Sequence, residues 1–166
     1  MRILINLMTV LFLVLSAQST FAQVATRDCI PLVLLAKADF DGDGKQDQLL
    51  GATTSSEGAY RSLIVESAEG KKLLDITDAG YYYRVRVADI GAPNPIVIAG
   101  TRFGNKWEEL QAWMFLPNRG FQQLWWNSSF TLVGRLVSIA PKTIQVDTEA
   151  GPKVYQYVDG SLQSTD

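Results

Sequence analysis

Asp39-Phe40-Asp41-Gly42-Asp43-Gly44-Lys45-Gln46-Asp47 carries four carboxylates and two glycines in nine residues. Like charges this close repel one another unless a cation neutralises them. Calcium requires hard oxygen ligands at alternate positions and a loop that turns sharply around the ion. In this spacing Asp39, Asp41 and Asp43 each offer a side-chain oxygen and Lys45 a backbone carbonyl. Asp47 closes the set directly or through water. An EF-hand opens in the same way, but it needs a bidentate Glu at the twelfth position and helices on both sides. Position twelve here is Leu50. The flanks, residues 32–38 and 48–54, read as strands, so the loop is expected at the tip of a β-hairpin.

Moving outward, short apolar runs alternate with Gly, Pro, Asn and Asp turns, and no long segment shows a 3.6-residue rhythm. Strands are expected over 61–67, 72–76, 81–90, 95–101, 107–116, 121–126, 131–139, 143–147 and 153–158. Over 81–90 strict alternation sends Tyr81, Tyr83, Val85 and Val87 to one face and Tyr82, Arg84 and Arg86 to the other. Over 107–116, Leu110, Ala112, Met114 and Leu116 share one face, while Trp107, Trp113 and Phe115 share the opposite one. Apolar groups on both faces point to a sheet with neighbours on each side.

A repeat underlies these runs. Ala38-Asp39-Phe40 followed by Leu49-Leu50-Gly51-Ala52-Thr53 is echoed by Ala88-Asp89-Ile90 followed by Val97-Ile98-Ala99-Gly100-Thr101. A weaker copy begins at Ile139. The period, about 50 residues, is the size of one four-stranded blade. The expected units run over about 38–79, 88–130 and 139–160, within a single all-β domain spanning 23–166. Residues Ala38 to Leu50 resemble the calcium hairpin of FG-GAP/VCBS repeats, which build the β-propellers of integrin α-chains and many secreted bacterial proteins. That resemblance implies antiparallel blade-like sheets, a partial β-propeller, and a Ca²⁺ held by Asp39, Asp41, Asp43, the Lys45 carbonyl and Asp47. The second copy keeps Asp89 but replaces the other ligands with Gly91-Ala92-Pro93-Asn94-Pro95, and the third has no acid there. One calcium site is therefore expected. Two to three units fall short of the roughly four to eight blades of a closed propeller.

Residues 1–22 read as a cleaved secretory signal: Arg2, an apolar run over 3–15, then small and polar residues up to Ala22. The apolar run is shorter than the roughly 20 residues of a spanning helix. The expected location is the periplasm or the exterior, with no membrane span after cleavage. Losing Arg2 leaves 14 basic against 17 acidic residues, net −3, and no basic run suggests nucleic acid. Cys29 is the only cysteine, so an intramolecular disulfide is impossible. The chain has no histidine, which removes Ser-His and Cys-His nucleophiles and the common zinc site. Adjacent Glu108 and Glu109 would face opposite ways along a strand and cannot form a hydrolase pair.

The expected function is a non-catalytic binding module whose partner is a protein, or a second copy docking on exposed blade faces. One alternative is a carbohydrate-binding module that uses exposed aromatics, with Tyr82, Trp107 and Trp126 as candidates. A small secreted hydrolase is the other.

Overall fold

The Asp39–Asp47 loop joins the first two strands of an antiparallel ladder that runs through almost the whole chain. The computed structural model describes residues 30–53, 59–103 and 106–165, with the backbone alone at 78–80 and 103. The signal segment and Cys29 lie outside these residues. The strands are β1 (Leu32–Ala38), β2 (Asp47–Thr53), β3 (Tyr60–Glu66), β4 (Lys72–Ala88), β5 (Ile96–Phe103) and β6 (Trp107–Leu116). They continue as β7 (Gly120–Gln123), β8 (Trp125–Trp126), β9 (Leu132–Ala140), β10 (Thr143–Thr148), β11 (Gly151–Val158) and β12 (Ser161–Ser164). No helix occurs among the described residues.

Pairing divides the strands into three antiparallel groups of four. The first is β1, β2, β3 and the opening half of β4, where residues 72–77 pair with β3. The closing half of β4, residues 82–88, begins the second group with β5, β6 and β7. The third is β9 to β12, with β8 lying parallel beside β12. β6 and β9 join the second and third groups through Glu108↔Gly134, Glu109↔Val133 and Leu110↔Leu132. The path of paired strands starts at β1, ends at β8 and does not close.

The middle group is buried on both faces, as the sequence led one to expect. β5 reads Ile96-Val97-Ile98-Ala99, a continuous apolar run of the kind that suits a strand covered on two sides. Val97 and Ala99 join Trp113, Phe40, Leu49, Leu63 and Val65 in a core shared with the first group. Ile96 and Ile98 join Leu110, Ala112, Met114, Ile144, Val146 and Leu162 in a core shared with the third.

Three expectations are corrected. The strands expected at 72–76 and 81–90 are one strand, and the alternation in the second breaks at Tyr83. Tyr82 pairs with Thr101 and Arg84 with the adjacent Gly100, so Tyr83 is an extra, bulged residue. The bulge reverses parity and turns Tyr82 onto the face of Val85 and Val87. There it is fully buried, edge-on to Trp113 with ring centroids 6.2 Å apart. Trp126, also expected to be exposed, is buried too. The chain breaks its strand at Leu124 and lays Trp126 beside Leu162 of β12, with its ring edge-on to Tyr155 at 5.2 Å. Strand β12 escaped notice because Ser161-Leu162-Gln163-Ser164 offers one apolar residue, too few to show a period.

Candidate metal centre

Residues 39–46 form a turn whose own amides fold onto its carboxylates. The Gly42 and Gly44 N–H groups donate to Asp39 Oδ1 and Oδ2 at 2.8 and 2.9 Å. The Asp43 N–H donates to Asp41 Oδ1 at 3.2 Å, and the Lys45 N–H to Asp43 Oδ1 at 2.8 Å. This path requires positive φ at Gly42 (79°) and Gly44 (84°), which glycine adopts without steric cost. As a result, carboxylate oxygens of Asp39, Asp41 and Asp43 lie within 4.8 Å of one another. Ligands on opposite sides of a calcium ion sit about 5 Å apart, twice its metal–oxygen distance of roughly 2.3–2.6 Å. The three side chains therefore fit the ion. Strands flank the loop on both sides, and Leu50, the EF-hand's twelfth position, is buried in β2.

The other two expected ligands stand differently. Asp47 is fully buried and lies outside the converging trio. Its Oδ2 accepts the Phe40 N–H at 2.9 Å and its Oδ1 the Ala68 N–H at 3.2 Å, tying the loop to the turn after β3. Burial pushes the Asp47 carboxyl above its ordinary range, and the charges of Asp41 and Asp43 add to this. The two amide donors pull the other way. Lys45 swings its ammonium to Glu69 and to Asp43, whose Oδ2 is 3.6 Å away. The Glu69 pairing raises the Lys45 pKa most. A metal ion at the loop would compete with this ammonium for Asp43.

The loop after β4 has a similar shape but different chemistry. Gly91 takes φ 78°, close to Gly42, and Ile90 is buried as Phe40 is. Asn94 is buried there and donates to the Phe115 carbonyl at 2.9 Å. Its only acid, Asp89, is exposed. The β9–β10 connection is the two-residue turn Pro141-Lys142.

Of the aromatic candidates, Trp107 alone stays partly exposed, with the Lys106 ammonium 4.7 Å from its ring centroid. Tyr82 and Trp126 present nothing to solvent, so the three do not form a platform. A charged centre that went unnoticed in the sequence lies near Trp107. Arg84 Nε pairs with Glu108 Oε1 at 3.0 Å, while Glu108 Oε2 is buried without a hydrogen-bond partner among the described residues. Burial raises the Glu108 pKa, against the lowering influence of Arg84, Arg135 and Arg86. The available signal was the shared face of Arg84 and Arg86; their partners, drawn from β6 and β9, were not legible.

Comparison with known proteins finds no matching family model, no matching curated protein and no matching solved structure.

Proposed function

We propose that this chain is a secreted or periplasmic, non-catalytic interaction module whose first hairpin is fixed by one structural Ca²⁺. The convergence of Asp39, Asp41 and Asp43 within 4.8 Å on a loop already folded by its own amides carries the reading. The ion would hold β1 and β2 in register. Extracellular calcium modules bind with dissociation constants of about 10⁻⁴ to 10⁻³ M, the range expected here. Calorimetric titration of the mature chain with calcium tests it: one site in the parent and none in Asp41→Asn. A parent chain that takes up no calcium refutes the reading.

The FG-GAP/VCBS-like repeat reading is supported by three groups of four strands recurring at the spacing of the sequence echo. Self-association is supported by the two ends of the open strand path. Leu32, Val33 and Leu34 are exposed on the edge strand β1, and Trp125 stacks with exposed Phe130 at the other end, ring centroids 4.0 Å apart. An apolar unpaired edge is a ready template for another strand. Sedimentation should show concentration-dependent dimers that Leu32→Lys/Leu34→Lys abolishes. A strictly monomeric parent would rule out association through these ends.

A further inference from the structure

A groove opens where the second and third strand groups meet, and its charge is opposite to that of the molecule. A central cleft of about 340 Å³ is lined by Tyr83, Arg84, Arg102, Lys106, Trp107 and Arg135 around Glu108. It continues past Arg84 and Arg86 along Leu136–Ile139 of β9, and past Lys106 and Arg135 toward Gly151 and Pro152. Five of the chain's 15 basic side chains, Arg84, Arg86, Arg102, Lys106 and Arg135, gather here in a protein whose net charge is −2. Arg84 is matched by Glu108, and Arg135 by Asp147 at 3.1 Å. Among the described residues, Arg86, Arg102 and Lys106 have no carboxylate in ion-pair range. Arg102 and Lys106 instead lie against Tyr83 and Trp107, at 5.6 and 4.7 Å from the ring centroids. A cation resting on a ring face keeps its N–H donors available to an incoming oxyanion.

We propose that this groove binds an acidic oligosaccharide, its carboxylates taken by Arg86, Arg102 and Lys106 and a sugar ring set beside Trp107 and Tyr83. Three depressions in series suit an extended ligand carrying spaced charges, not a single small anion. The floor of the central cleft is made of β4, β5 and β6, whose backbone groups pair in ladders, while Leu136–Ile139 of β9 pair with β10 alone and leave one strand edge open beside Arg84 and Arg86. An extended peptide adding to that edge is the rival occupant, which a polyglutamate probe separates from a sugar. Guanidinium groups match carboxylates two bonds at a time, and half-exposed aromatic rings offer a flat apolar contact to sugar C–H groups. The groove shares no residue with the calcium loop, so its function does not depend on the metal.

The test is calorimetric titration of the mature chain in chelator with oligogalacturonate, a neutral oligosaccharide of equal length, tripolyphosphate and polyglutamate. Oligogalacturonate is expected to bind tightest, with affinity falling as salt rises. The solvent-facing substitutions Arg102→Gln and Lys106→Gln should each weaken it about tenfold, the loss of one charge-assisted contact. Lys72→Gln, outside the groove, should leave it unchanged, and circular dichroism verifies that all variants fold. The proposal is overturned by an absence of binding, by equal or tighter binding of any of the other three probes, or by affinity indifferent to Arg102 and Lys106. Binding that appears only when calcium is restored overturns it as well, because it would place the ligand at the loop.

Discussion

The buried carboxylate of Asp47 accepts the backbone N–H of Phe40 at 2.9 Å across the base of the acidic loop. Its other oxygen takes the Ala68 N–H. In Asp47→Ala the buried Phe40 N–H would be left without a partner, at about 1–3 kcal/mol, whereas the Ala68 N–H belongs to an exposed residue and can turn to water. Asp47→Ala should therefore lose about 1–3 kcal/mol in urea unfolding even in chelator. Asp47→Asn keeps one acceptor oxygen and should fall between the two. Full parent stability for Asp47→Ala in chelator would show that the residue matters only to a metal.

Asp41 gives the converse result. It is held by one exposed amide contact, so Asp41→Asn should match the parent in chelator. With 10 mM calcium and a dissociation constant near 1 mM, the parent should gain about 1.4 kcal/mol that the variant does not. Paired thermal melts, with and without calcium, measure the difference directly.

Tyr82 carries a hydroxyl with no hydrogen-bond partner among the described residues, in a fully buried site. Removing an unsatisfied polar atom without changing shape is neutral or stabilising. Tyr82→Phe should unfold at the same or higher urea concentration, whereas Tyr82→Ala should cost about 3–5 kcal/mol through the cavity left against Trp113. A marked loss in Tyr82→Phe would reveal a partner for the hydroxyl.

Glu108 sets a pH dependence. Its carboxyl titrates above the ordinary value of 4.5 because burial disfavours the charge. The folded chain thus holds this proton more tightly than the unfolded chain. The resulting stabilisation is complete below the ordinary glutamate value and is lost as pH rises through the elevated one. Relative to Glu108→Gln, the parent's melting temperature should decline from pH 4 toward neutrality. A flat or rising difference would mean that Arg84 outweighs burial.

The acidic hairpin and the two-faced middle sheet were legible because both are written in contiguous residues. Asp39, Asp41 and Asp43 converge as their spacing suggested, and Ile96 to Ala99 buries both faces. Tyr82 was not legible, because a one-residue bulge at Tyr83 reverses every facing before it and leaves no mark in composition. Trp126 depended on a parallel contact with Leu162, 36 positions away in sequence. The basic groove was hidden for the same reason: four strands contribute to it, and each supplies only one or two of its charges.

Strand β4 belongs to two ladders at once: its first half completes one group of strands and its second half begins the next. Pulling either group apart strips β4 of partners that the other needs, so the first two groups should open together. Strand pairing joins the third group to them through only three residue pairs, between β6 and β9, and the rest of the joint is the apolar core that it shares with β5 and β6. Amide hydrogen exchange should then resolve two cooperative units in one chain. Residues of β1 to β6 should share a single opening free energy, with β10 and β11 released at a lower one, so the basic groove would lie along the line where the molecule yields first.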